Sequence, residues 1–152
     1  MIHHIAQVNI SRLLAPIDDP LIADFKAALD PINALAESSP GFVWRLKSDG
    51  GNATDIQAFD DELIIVNMSV WESLDALRAF AFQSAHTPFM KRRKEWFSKF
   101  PTNQVALWWI RAGHTPTTDE AKERLRSLDE NGDTEFAFTF RNVFEMPVLL
   151  QA

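Results

Sequence analysis

From Val105 to Ile110 the chain reads Val-Ala-Leu-Trp-Trp-Ile, six apolar residues without a break. Side chains along a strand point alternately to its two faces. Val105, Leu107 and Trp109 therefore oppose Ala106, Trp108 and Ile110. A strand apolar on both faces needs a sheet that is covered on both sides. The run is far too short to cross a bilayer, which takes about 20 apolar residues.

The remaining elements say what kind of sheet this is. Residues 2–10 alternate as a strand, with His4, Ala6, Val8 and Ile10 on one face and His3, Ile5, Gln7 and Asn9 on the other. Asp19-Pro20 marks a helix start, a capping side chain followed by proline at the first helical position. Leu21, Ile22, Phe25, Ala28, Leu29, Ile32 and Leu35 continue at helical spacing, with a kink expected at Pro31, and Pro40-Gly41 ends the segment. Phe42–Lys47 predicts a second strand, and Ser48–Glu62 a long polar connection. Leu63–Trp71 is the strongest strand: Ile64, Val66, Met68 and Val70 form an apolar face, and Leu63, Ile65, Asn67, Ser69 and Trp71 a mixed one. Ser73 then caps a helix carrying Leu74, Leu77, Phe80 and Ala81. Thr87-Pro88 restarts it with Phe89, Arg93, Trp96, Phe97 and Phe100 along one side. Gln104–Ala112 is the fourth strand. Thr117-x-x-Glu120 fits a capping box opening a charged helix to about Asp129, and Phe136, Phe138 and Phe140 alternate in a short strand or packed tail.

The order β-α-β-β-α-β with an added helix and tail is a ferredoxin-like α+β plan, in which strands one and three are central neighbours. Its helices cover one sheet face. The other face, apolar here as well, is expected to be hidden by a second copy of the chain, because an exposed aromatic sheet is an aggregation liability. The predicted fold is thus one domain over residues 1–152, acting as a homodimer.

Composition narrows the chemistry. With 152 residues the chain fits a single domain with a sizeable core. Cysteine and tyrosine are absent, which removes disulfides, thiolate nucleophiles and Cys-ligated metals. A net charge of −6 argues against non-specific nucleic-acid binding. The first residues carry neither the basic region nor the apolar stretch of a signal peptide, so a soluble, cytoplasmic protein is expected, away from membranes. The five glycines make no GxGxxG or P-loop, and neither GxSxG nor HExxH occurs. Asp129, Asn131 and Asp133 open like a calcium loop, but Thr134 and Phe140 stand where the turn glycine and bidentate Glu belong. Four dispersed histidines leave no dedicated metal site.

A polar set remains inside apolar elements. Gln7 and Asn9 on strand one face the same way as Asn67, Ser69 and Trp71 on strand three. Buried amides must find partners, either in one another or in a ligand. His86 reads either as a backbone-bonded loop histidine or as a general base or axial ligand. Arg93 sits on the stripe of Phe89 and Trp96, where a guanidinium either pairs with a carboxylate or holds an anionic ligand group.

Several runs are distinctive together: Asp30-Pro-Ile-Asn-Ala, Ser39-Pro-Gly-Phe-Val-Trp-Arg45, Val66-Asn-Met-Ser-Val-Trp-Glu72, Ser84-Ala-His86 through Trp96-Phe97, and Leu107-Trp-Trp-Ile with Ala112-Gly-His-Thr-Pro-Thr117. Over residues 3–145 they resemble a bacterial family of uncharacterised proteins in the dimeric α/β-barrel superfamily, which includes the antibiotic-biosynthesis-type monooxygenases. The resemblance implies a ferredoxin-like subunit whose sheets pair into a dimeric barrel. It also implies chemistry of one of two kinds. Haem-degrading relatives use an Asn, a Trp and a His at stations similar to Asn9, Trp71 and His86, although the two-piece helix around His86 departs from their pattern. Cofactor-free relatives oxidise electron-rich aromatics, with Asn and Trp near the substrate. The expected function is therefore a small-molecule monooxygenase for an aromatic or isoprenoid-like substrate. Asn9, Trp71 and His86 are its candidate catalytic residues, and Gln7, Asn67, Ser69, Phe89, Arg93 and Trp96 its candidate substrate contacts. No cofactor is expected, with haem as the alternative. The competing reading is a non-catalytic dimer that binds a hydrophobic ligand.

Overall fold

The computed structural model describes residues 2–47, 54, 56–83, 91–100 and 102–147. Strands β1 (His3–Arg12), β2 (Phe42–Arg45), β3 (Ile64–Trp71) and β4 (Val105–Arg111) form one sheet in the order β2-β3-β1-β4. Every neighbouring pair is antiparallel. Helices α1 (Ala23–Ser38) and α2 (Leu74–Gln83) connect them in the ferredoxin-like manner, with a one-turn α3 (Arg93–Trp96) before β4 and a fourth helix, α4 (Thr118–Asn131), after it. No helix among the described residues is long and apolar enough to cross a membrane.

Register decides which side chains share a face. Gln7 lies opposite Ser69 and Leu107, and Asn9 opposite Asn67 and Val105, so the polar set occupies one face together. The other face carries Ala6, Val8, Ile10, Val66, Met68, Val70, Ala106, Trp108 and Ile110, all buried. β2 departs from the expected simple alternation. A bulge between Phe42 and Trp44 sets Phe42 against Trp71 and Trp44 against Val70. Those two rings therefore point to opposite faces, and Arg45, opposite Ser69, turns toward the polar one.

The local signals that start the elements behave as their chemistry requires. Asp19 Oδ1 accepts the Leu21 N–H at 2.9 Å and caps a single 3-10 turn, Pro20–Ile22, that leads into α1. Ser73 Oγ caps α2 through the Ala76 N–H at 3.1 Å. α1 is not split at Pro31 and continues as helix through it. Pro31 is exposed, so the hydrogen bond it forfeits lies on the solvent side of the helix. The second helical piece ends earlier than expected. Within the described residues it is the four-residue α3, and Phe97 already bridges to Leu13 in extended backbone. Gly41 has φ 84°, and a Cβ there would stand 2.5 Å from the Cβ of Ala76, so this turn needs glycine on two counts.

The expectation of a second copy over the apolar face rested on that face having no cover of its own. It has one. Ala121, Leu125 and Leu128 of α4 pack across Val8, Met68, Val70 and Trp108, and Ile56, Ala58 and Phe59 extend the cover. Thr117 Oγ1 caps α4 by accepting the Glu120 N–H at 3.1 Å. The Glu120 carboxylate does not complete the predicted capping box. Its Oε2 accepts the Trp108 Nε1–H at 2.8 Å and its Oε1 lies 2.7 Å from His114 Nε2, which ties the helix start to the sheet. After α4 the chain turns at Gly132 and passes around the β4 edge, where Phe138 and Leu107 exchange backbone hydrogen bonds of 2.8 and 2.9 Å. The tail reaches the polar face, where Phe138 and Phe144 pack with Ile5, Trp71 and Leu107.

Leu125→Ala removes a side chain only 5% exposed under the sheet. It is expected to cost about 2–5 kcal/mol in urea unfolding. Burial pushes the Glu120 carboxyl up, but the hydrogen bonds from His114 and Trp108 outweigh this and hold it below 4.5. A carboxylate lowered in the folded state stabilises above its unfolded value, and that contribution vanishes as pH falls through the folded value. Stability should therefore decline below pH 4.5, and Glu120→Gln should flatten that acid limb in pH-dependent melts.

Candidate functional site

On the polar face, α1, α2 and α3 stand off the sheet and enclose a cavity of about 390 Å³. That size suits a small organic ligand. Phe25, Leu29 and Ile32 of α1, Leu77 and Phe80 of α2, and Trp96 and Phe97 at α3 make an apolar wall, which Phe140 of the tail joins. The helical stripes legible in the sequence supply this wall. Phe25 meets Trp96 with ring centroids 5.7 Å apart and Phe97 edge-on at 5.0 Å, so α1 and α3 are locked by aromatic packing.

The sheet supplies a polar floor. Gln7 Nε2 donates to Asn67 Oδ1 at 2.9 Å and to Ser69 Oγ at 2.8 Å, and Asn9 Nδ2 donates to the same Asn67 oxygen at 3.3 Å. Trp71 Nε1 donates to Ser69 Oγ at 2.9 Å. An amide oxygen and a hydroxyl oxygen each offer two lone pairs, so Asn67 Oδ1 and Ser69 Oγ are both saturated as acceptors. Left without a protein partner among the described residues are both N–H groups of Asn67, the O–H of Ser69 and the second N–H and the oxygen of Asn9. The floor thus faces the cavity mainly as a hydrogen-bond donor, and it carries no charge. The amides thus satisfy one another in part, and the donors left over face the cavity.

The structure brings Gln7, Asn9, Asn67, Ser69, Arg93 and Trp96 to one cavity lining. Trp71 is not part of that lining. It is fully buried behind Ser69, stacked on Phe80 at 5.2 Å with Phe42 edge-on at 5.6 Å. It orients the Ser69 hydroxyl rather than walling the cavity. His86 and Phe89 lie outside the described residues. Asn33, Arg45 and Thr54 line the cavity although the sequence reading passed over them. Asn33 follows Ile32 directly at the edge of the α1 stripe, a signal that was available. Arg45 reaches this face through the β2 bulge, which no periodicity shows. Among the described residues no cluster of three or more His, Asp or Glu side chains is placed to hold a metal ion.

Ser69 is 7% exposed and, among the described residues, accepts the Trp71 indole N–H. Ser69→Ala strands that donor and one N–H of Gln7, and is expected to cost about 1–3 kcal/mol in chemical denaturation. Asn67 is solvent-accessible at the cavity, and its removal strands one Gln7 N–H but no indole donor, so Asn67→Ala should cost less than Ser69→Ala. The contrast between the two variants separates the buried support of the floor from its presenting surface.

Comparison with known proteins adds the following. No curated protein matches the chain. Among solved structures, SnoaB, a cofactor-independent oxygenase from Streptomyces nogalater, aligns with 19% identity and a TM-score of 0.46 over 74% of this chain and 95% of its own. A monooxygenase from the gene ActVA-Orf6 of Streptomyces coelicolor, in complex with nanaomycin D, aligns with 15% identity and a TM-score of 0.44 over 76% and 94%. The NE2512 protein of unknown function from Nitrosomonas europaea aligns with 12% identity and a TM-score of 0.46 over 76% and 95%. The family described as a domain of unknown function, DUF3291, matches residues 4–151. The chain belongs to the DUF3291 family.

Proposed function

We propose that this protein is a small-molecule monooxygenase for an electron-rich, hydroxylated aromatic substrate, working without a bound cofactor. The observation that carries the reading is the donor-rich amide and hydroxyl floor of an otherwise apolar cavity. The sequence resemblance to the monooxygenase superfamily supports it.

The chemistry follows from what the floor can and cannot do. An activated ring CH₂ flanked by a phenol or carbonyl loses a proton to solvent and becomes an electron-rich carbanion, its charge delocalised onto the oxygen; the peroxide formed later takes a proton back. Dioxygen adds at that carbon to give a hydroperoxide, which loses water and leaves a carbonyl. One O₂ is consumed and one water is released per CH₂ oxidised, so no external reductant is required. Asn67 N–H and Ser69 O–H groups aimed at the substrate oxygen stabilise the charge that builds there, and they are held in place beforehand by Gln7, Asn9 and Trp71. Fixed donors of this kind are worth far more in an apolar site than in water.

A second reading is a protein that binds such a molecule without converting it. Oxygen uptake separates the two. With a panel of hydroxylated naphthalenes and anthracenes, the oxygenase reading expects uptake that falls about 10²-fold in kcat for Asn67→Ala, the usual cost of one lost oxyanion donor. Absence of turnover across the panel would remove the oxygenase reading and leave the binding one.

A further inference from the structure

The charge of the cavity is opposite to that of the chain. There are 21 Asp and Glu against 15 Lys and Arg overall. Yet the described residues lining the cavity include two arginines, Arg45 and Arg93, and no carboxylate. These two are not equivalent. Arg45 Nε donates to Glu37 Oε2 at 3.0 Å, and its side chain is only 11% exposed, so its charge is compensated. Arg93 opens α3, is exposed to solvent and lines the cavity, and its side chain makes no ion pair or hydrogen bond among the described residues.

Its neighbour shows what a structural arginine does on the same turn. Arg92 Nη2 binds Asp24 and Glu95 at 2.8 Å each, and its guanidinium lies 4.8 Å from the Trp96 ring centroid. Arg92 therefore bolts α3 to α1 and leaves Arg93 free of that task. The lining then has three parts: neutral donors on the floor, aromatic and aliphatic walls, and an uncompensated cation at the solvent-exposed side. A guanidinium binds a carboxylate with two parallel hydrogen bonds, a contact a neutral group cannot reproduce.

We propose that the ligand is an aromatic carboxylate. Its ring system lies along Phe25, Phe80 and Trp96, a neutral oxygen at one end accepts from Asn67 and Ser69, and its carboxylate at the other end pairs with Arg93. The assignment rests on the preceding reading of this cavity as the substrate site and names the class of molecule it takes. Arg93 is a specificity-determining residue in it, remote from the oxygen-accepting end.

The test uses 6-hydroxy-2-naphthoate, which carries its two oxygen functions at opposite ends, and its neutral methyl ester. Titration calorimetry on the full-length protein should show the acid binding at least about tenfold more tightly than the ester, the scale of one charge-assisted contact. Arg93→Gln should abolish that preference while leaving the ester's Kd unchanged, and Arg45→Gln should preserve it. Equal affinity for acid and ester, binding of neither at millimolar concentration, or a preference that survives Arg93→Gln and disappears in Arg45→Gln would each overturn the assignment. Its failure is distinguishable from that of the oxygenase reading. Carboxylate-selective binding without oxygen uptake leaves the assignment standing and removes the oxygenase. Oxygen uptake as fast with the ester as with the acid does the reverse.

Discussion

Burial of the sheet on both sides is the constraint from which the rest of this structure follows. The central strands put large apolar groups on one face and an apolar-polar mixture on the other, so each face needs a different kind of cover. The wholly apolar face is packed closely by α4, where Leu125 and Leu128 meet Met68, Val70 and Trp108. Close packing is available there because nothing polar interrupts it. On the mixed face, the donors that Asn9, Asn67 and Ser69 do not spend on one another cannot be pressed under apolar helices without a cost of about 1–3 kcal/mol per stranded group. The helices stand away from them, and the gap is the cavity.

Site and scaffold are therefore two outcomes of one alternation. The same period-two pattern that places Val8 and Met68 in the core places Gln7, Asn9 and Asn67 on the cavity floor. A shift of register by one residue on β3 would exchange the two sets. Packing under α4 forbids that exchange, because it would drive Asn67 and Ser69 of β3 into the apolar core. Trp71 adds a second lock, since its indole N–H holds Ser69 from behind while its ring is clamped between Phe42 and Phe80.

Much of this was legible in the sequence, and the exceptions have physical causes. Strand alternation gave β1, β3 and β4 and the shared face of the polar residues, because the period of a strand is fixed by backbone geometry. Capping residues placed the starts of α2 and α4 and of the 3-10 turn that leads into α1, because they act through contacts two or three residues away. What could not be read depends on contacts between distant segments. The bulge that sends Arg45 into the cavity is a mismatch between two strands, invisible in either alone. The role of α4 was missed although its apolar positions, Ala121, Leu125 and Leu128, follow helical spacing. Nothing local says that this short charged helix lies across the sheet. Pro31 is carried inside one continuous helix, where it faces solvent.

The path of the tail has a consequence for how this molecule behaves in a crowded solution. A sheet exposes two edge strands, and an unpaired edge is a template on which other chains can add. Here the reciprocal bonds between Leu107 and Phe138 occupy the middle of the β4 edge with the chain's own backbone. The opposite edge is β2, four residues long and broken by a bulge, so it offers a poor template as well. The last segment of the described chain thus serves as an internal edge guard, and the sheet's strongly aromatic strands are kept from recruiting copies of themselves.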